Sequence, residues 1–394
     1  MQRISAVYAK PGMVIECPVY DYWGDIVLEK DTTLGTKDIV TVCDTGIGEI
    51  FILNEYAEDI QLKPSIKPET SGALSRGLRR IMIEARATMT NKSAVVIDTS
   101  QLDNLVEDAI SELSSANNDD ISVSGCFSLK DYNYVHPVKV AVISLLVGRS
   151  CGMDGDELKN MGMAALLQNT GYVLIPQGIL EKPGPLTESE IQMVQKHPVY
   201  GAEILQRYTR VNPEVIDIVN QHHERWNGCG YPNQLKQDAI GQAAQILGIT
   251  DTCIALASKR PHREEFLPAF AIEHSIVSPG DAIEFILAYS GELFNPDLVR
   301  VFATFVPVYP AGVKVKLNNG QLGIVCNTNT GIRRRPQVRV FNNGNGRAGA
   351  EEGAGTEPGF EEAGCEPVTR ADYTNIDLAR KSHRRLFIVE TIDY

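Results

Sequence analysis

The chain has 394 residues, 43% of them hydrophobic and 22% charged, with a formal net charge of −13 at pH 7. That length predicts more than one domain. The acidic balance excludes a general binder of nucleic acid or anionic membrane, because there is no basic excess to release counterions.

Residues 1–66 alternate in short strand-like pieces, Ser5–Tyr8, Met13–Tyr20, Asp25–Leu28 and Glu49–Leu53, separated by turns at Lys10-Pro11-Gly12 and Trp23-Gly24-Asp25. They predict a small β-rich N-terminal module. The charges and the proline-glycine pair among the first eighteen residues do not read as a signal peptide. Residues 67–124 carry Leu74, Leu78 and Ile81, then Leu102, Leu105 and Leu113, at helical spacing, and predict linker helices ending at a break over Asn117–Asp120.

Residues 125–305 read as helix after helix: Val138–Arg149, Gly155–Leu167, Glu188–Tyr208, Pro213–His223, Ala239–Ser258 and Gly280–Tyr289. The longest apolar run, Val138 to Gly148, is interrupted by Ser144 and too short to span a bilayer. Residues 306–394 change pattern again. Val313–Leu317, Leu322–Cys326, Pro336–Phe341 and Leu386–Ile392 predict strands, with a hairpin signal at Asn318-Asn319-Gly320. The Gly/Ala/Glu-rich stretch 342–367 is too polar to bury a core and predicts either a flexible acidic loop inserted in a small β module or a plain linker. Eight cysteines without a Cys-x-x-Cys pair fit neither a zinc ribbon nor a disulfide scaffold, so a cytoplasmic protein is expected.

Chemistry concentrates in Gln221–Pro232, Gln-His-His-Glu-Arg-Trp-Asn-Gly-Cys-Gly-Tyr-Pro. Seven histidines occur in the chain, and two stand side by side here. Adjacent imidazoles at a helix end can both reach one metal ion. Other marks stand in order around it: Tyr132 to His136, Leu166 to Tyr172, Leu180 to Thr187, His197-Pro198 with Gly201, and Thr250-Asp251 leading to Arg260 and Arg263.

This series resembles the HD-GYP family, bacterial metal-dependent phosphodiesterases acting on cyclic di-GMP. The resemblance covers roughly 180 residues. It implies a mainly α protein with an all-helical HD-superfamily core, flanked here by β-rich N-terminal and C-terminal modules. Family members hold two or three metals on histidines and on an adjacent His-Asp pair, whose bridging carboxylate keeps two cations close enough to clamp a phosphoryl group. Carried over residue by residue, His136, His197, His222, His223 and Asp251 are kept. Gln168 stands where the family has the ligand histidine, Asn169 at the bridging aspartate, and Tyr172 at a phosphate-binding lysine. Asn227 and Ile254 replace two further aspartates. A neutral amide is a weak ligand and cannot bridge two divalent cations as a carboxylate does. The expectation is therefore at most one divalent ion (zinc, iron or manganese) on His197, His222 and His223, with His136 and Asp251 either lesser ligands or structural remnants.

The resemblance also makes Arg260, Arg263 and Tyr231 contacts for cyclic di-GMP or a related nucleotide; surface ion pairs with Glu264 or Glu265 are the plainer reading of the arginines. At Tyr172 an aromatic ring either stacks on a base or plugs the site. The Gly-Tyr-Pro loop, with Trp226 beside it, is where the family meets GGDEF-domain partners, unless Trp226 packs inward. Arg76, Arg79, Arg80 and Arg86 form a solvated basic stripe. The leading expectation is a catalytically impaired effector or scaffold in cyclic di-GMP signalling. The alternative is a phosphodiesterase of reduced activity using a single metal.

Overall fold

Two helices of the centre, α4 (Tyr132–Ser150) and α10 (Gln242–Ala257), are apolar on nearly every face. A helix of that kind is stable only when surrounded. Both are enclosed by the other helices in the computed structural model, which describes residues 1–60, 65–91, 95–115, 132–182, 184–258, 279–329, 334–341 and 373–392. The surrounding helices are α2 (Pro68–Asn91), α3 (Ser100–Ser115), α5 (Gly155–Leu167), α6 (Gln177–Leu180), α7 (Glu188–Val194), α8 (His197–Tyr208), α9 (Pro213–Gln221), α11 (Pro279–Ala288) and α12 (Pro296–Phe305). Leu74, Leu78 and Ile81 of α2 and Leu102 and Val106 of α3 share one continuous core with α4, α5 and α10. The protein is mainly α, with a helical core. A buried Ser144–Thr250 hydroxyl pair at 2.7 Å sets the register between α4 and α10.

Where one helix was expected over Glu188–Tyr208, the chain breaks at Gln195-Lys196 and restarts at His197. Pro198 has no N–H to continue the ladder but suits the first turn of a new helix. The break brings His197 to the head of α8, facing inward. Gly171 lies against that point: a Cβ there would come within 2.0 Å of the His197 carbonyl, so the 3-10 turn Thr170–Leu174 reaches α8 only because residue 171 is glycine.

At the N-terminus β1 (Gln2–Ser5) pairs antiparallel with β4 (Glu49–Ile52), and β2 (Val19–Tyr20) with β3 (Ile26–Leu28). Residues Ala6–Tyr8, expected as strand, form a 3-10 turn. Helix α1 (Thr36–Asp44) was not expected, since Val42 is its one buried side chain and the apolar signal is thin.

At the other end β5 (Lys314–Leu317), β6 (Leu322–Asn327), β7 (Gln337–Phe341), β8 (Tyr373–Asp377) and β9 (Ile388–Ile392) form an antiparallel sheet in the order β8-β7-β6-β5-β9. Gly320, at φ +84°, turns the β5–β6 hairpin. The stretch 342–367, read as an acidic loop, lies outside the described residues, as does the break at 117–120.

The two β modules meet each other. Arg3 N–H donates to the Gly312 carbonyl at 2.9 Å. Arg339 grips Asp59 with both ends of its guanidinium, at 2.6 and 2.8 Å, donates to the Tyr56 carbonyl, and lies 4.4 Å from the centre of the Tyr373 ring.

Candidate metal centre

His197 opens α8, His222 caps α9, and His223 follows it. Their ring nitrogens lie within 4.8 Å of one another, the one such metal-competent cluster among the described residues. His197 and His222 are fully buried, and His223 is half-buried at the cleft.

Both buried rings are tethered from behind. His197 Nδ1–H donates to the Val194 carbonyl at 2.8 Å, and His222 Nδ1–H donates to the Val219 carbonyl at 2.6 Å. A carbonyl only accepts, so each tether fixes the tautomer and makes Nε2 the lone-pair nitrogen when the ring is neutral. Burial pushes His222 down to about 4, so it is neutral at pH 7. The two Nε2 atoms face each other at 3.3 Å. Two nitrogens held about 2.05 Å from one tetrahedral ion stand about 3.3 Å apart, and without a cation two lone pairs at that distance repel. The donor set fits a single metal.

The loop after the pair is built to hold His223 in place. Glu224, buried, accepts from the backbone N–H of Asn233 at 2.7 Å and of Leu235 at 3.0 Å. Its side chain thereby folds the glycine loop back onto residues 223–225. Gly230 permits this close approach, because a Cβ there would sit 2.4 Å from the Arg225 nitrogen. Tyr231 then stacks on His223, ring centres 4.8 Å apart. On the other side Tyr172 lies 4.5 Å from the His197 ring. Trp226, half-buried, is tied through its N–H to the Leu293 carbonyl.

The second half of the expected ligand set is arranged differently. His136 Nε2–H donates to Asp251 Oδ1 at 2.7 Å, and its Nδ1 accepts from the Tyr132 hydroxyl at 3.1 Å. The Gln168 amide donates to the same Asp251 oxygen at 3.4 Å, while Gln168 Oε1 has no partner among the described residues. Asn169, nearly buried, heads the following 3-10 turn. His136, Asp251 and Gln168 thus form a hydrogen-bonded row outside the three-histidine cluster. Both nitrogens of His136 and one oxygen of Asp251 are engaged with protein.

Tyr172, His197, His223, Tyr231 and Asp251 line a cleft of about 260 Å³ whose far wall is Phe285 and Phe294. Arg260 and Arg263, expected as phosphate contacts, lie outside the described residues. Sequence reasoning placed Tyr132, Glu224 and Arg225 inside its motifs but gave none of them a role. The one available signal was position: Tyr132 precedes His136 by four residues on one helix face, and Glu224-Arg225 directly follows the histidine pair.

Residues 102–275 match the HD domain family. The chain is 31% identical over 245 residues to a cyclic di-GMP phosphodiesterase of Pseudomonas aeruginosa, covering 62% of this chain and 56% of that one. It is 33% identical over 165 residues to the cyclic di-GMP phosphodiesterase response regulator RpfG of Xanthomonas campestris, covering 41% of this chain and 40% of the relative. It is 34% identical over 167 residues to the 3'3'-cGAMP-specific phosphodiesterase 2 of Vibrio cholerae, covering 42% and 30%. The chain therefore spans 30–56% of the length of these curated relatives. Among the described residues no helix is long and apolar enough to cross a membrane.

Proposed function

We propose that this chain is a cytoplasmic cyclic-dinucleotide signalling protein whose HD domain binds its ligand at a one-metal cleft, with hydrolysis impaired. The ligand class follows the relatives, which are named for cyclic di-GMP and for 3'3'-cGAMP. The observation that carries the reading is the hydrogen bond from the Gln168 amide to Asp251. Where two cations need a shared anionic oxygen, this chain offers neutral amides at Gln168 and Asn169. Asp251 is meanwhile occupied by His136.

His197, His222 and His223 would hold one zinc, iron or manganese ion, with Asp251 the acidic side chain among the described residues that line the cleft. A bound ion there supplies a Lewis acid for a phosphoryl oxygen. The chain's own residues do the rest of the binding. Tyr172 and Tyr231 offer ring faces at the cleft, and its apolar wall excludes water. In this reading Arg260 and Arg263 add phosphate contacts, and the Gly-Tyr-Pro loop with Trp226 meets a GGDEF-domain partner.

The test uses protein purified without chelators. Metal analysis is expected to give about one ion per chain, lost in the paired change His222→Ala with His223→Ala. Calorimetry with cyclic di-GMP and with 3'3'-cGAMP is expected to show binding without linear product. Two ions per chain, or steady product that the paired change abolishes, would reject impairment. The second result would favour the alternative, a slow single-metal phosphodiesterase. That alternative rests on the half-buried His223, which leaves the cluster open to the cleft.

A further inference from the structure

The cleft wall carries a cation that none of the above uses. Arg225 follows the histidine pair by two residues and lines the cleft beside His223 and Thr252. Its Nη1 donates to the carbonyls of His222 at 3.2 Å and Glu224 at 3.0 Å, and its Nη2 donates to Thr252 Oγ1 at 3.2 Å. All three acceptors are uncharged. Among the described residues no carboxylate forms an ion pair with this guanidinium, and the face it turns to Phe294 is a ring 5.7 Å away.

A guanidinium has five N–H donors, so two remain for something else. Arg225 is half-buried, and a charge drawn out of water without a counter-ion is costly. The neighbouring Glu224 is no remedy, since its carboxylate is turned to the Asn233 and Leu235 backbone. The lysine expected at residue 172 is a tyrosine, so that source of positive charge is also missing.

We infer that Arg225 is an oxyanion subsite of the cleft, its two spare N–H groups receiving a phosphate oxygen of the ligand beside the three-histidine cluster. The inference rests on the reading of the cleft as a phosphate-ester site and names the group that meets the phosphate. The ligand class follows from the chemistry: a planar, permanently charged fork recognises phosphate mono- or diesters through paired bonds. The three neutral tethers hold the guanidinium still beforehand, so little ordering is needed on binding.

The experiment compares wild type with Arg225→Gln and Arg225→Lys, each loaded with zinc. Metal content and calorimetric affinity are measured for inorganic phosphate and for cyclic di-GMP. Arg225→Gln is expected to keep its zinc and to weaken phosphate binding by at least about tenfold. Arg225→Lys, which keeps charge but loses the fork, is expected to fall between. Phosphate affinity equal to wild type in either variant overturns the inference. So does parallel loss of zinc and phosphate in Arg225→Gln, which would make Arg225 a support for His222 alone. Should Arg225→Gln fail to fold, the lysine variant decides by the same criterion. A wild type that binds neither probe also overturns it. A wild type that binds phosphate but no cyclic dinucleotide overturns the ligand assignment instead, and leaves Arg225 to be judged on phosphate.

Discussion

Rebuilding the missing pair, Gln168→His with Asn169→Asp, tests the central chemical claim. Both positions are nearly sealed, at 0% and 6% exposure. The change deletes the amide that donates to Asp251 and adds a second carboxylate. Without metal, an uncompensated buried charge costs about 3–5 kcal/mol. For a chain of this size that lowers the melting temperature by on the order of 10 °C. With metal, the added carboxylate becomes the bridge, and saturation at about one hundred times Kd returns about 2.7 kcal/mol. The double variant should therefore melt well below wild type in chelator and recover much of the gap in zinc or manganese. Metal content should rise from about one ion per chain to about two. Differential scanning fluorimetry with and without chelator, together with elemental analysis, reads both quantities. A double variant that still carries one ion and shows only the wild-type response to chelator would refute the reasoning.

Gly248→Ala should weaken metal binding together with stability, since its Cβ would lie 2.9 Å from the His222 carbonyl and 3.2 Å from Arg225 Nη1. Overpacking of this kind costs about 1–3 kcal/mol, measurable by urea denaturation alongside zinc titration. Arg339→Met should loosen the joint between the two β modules by about 2–4 kcal/mol, because several hydrogen bonds are lost from a side chain only 6% exposed. Faster limited proteolysis at the β modules would show it; an unchanged cleavage pattern would count against the joint. The fourth expectation concerns acid. The Lys182 ammonium, with the Thr187 N–H, holds Glu190 down to about 2, against an ordinary 4.5. A carboxylate depressed in the folded state contributes stability above its ordinary range and loses it as pH falls toward 2. Glu190→Gln should flatten the stability–pH slope between about pH 4.5 and 2, seen by circular dichroism at stepped pH.

The sequence by itself determined that this is a mainly α protein with β modules at its ends, and it marked His197, His222 and His223, which the fold gathers into one cluster. Helix α5 was legible to both ends, Gly155 and Leu167, because its apolar residues recur at helical spacing. The adjacent His222-His223 and the amide pair Gln168-Asn169 are chemical facts that need no coordinates. Other features stayed hidden for physical reasons. The restart at His197 depends on one proline, and α1 buries too little to leave a period. Strand β8 contributes only edge residues, half-buried at best.

Only the tertiary structure decided what the marked residues do to each other. It set the Nε2 atoms of His197 and His222 3.3 Å apart while coupling His136, Asp251 and Gln168 into a separate hydrogen-bonded row. It also turned Arg225, unremarkable in the sequence, into a cation with neutral partners on the cleft wall. Such distinctions depend on distances of a few ångströms between groups 25 to 115 residues apart, and on which atom each ring turns inward. Side-chain type and spacing along a chain carry neither, because both are fixed by how whole helices pack.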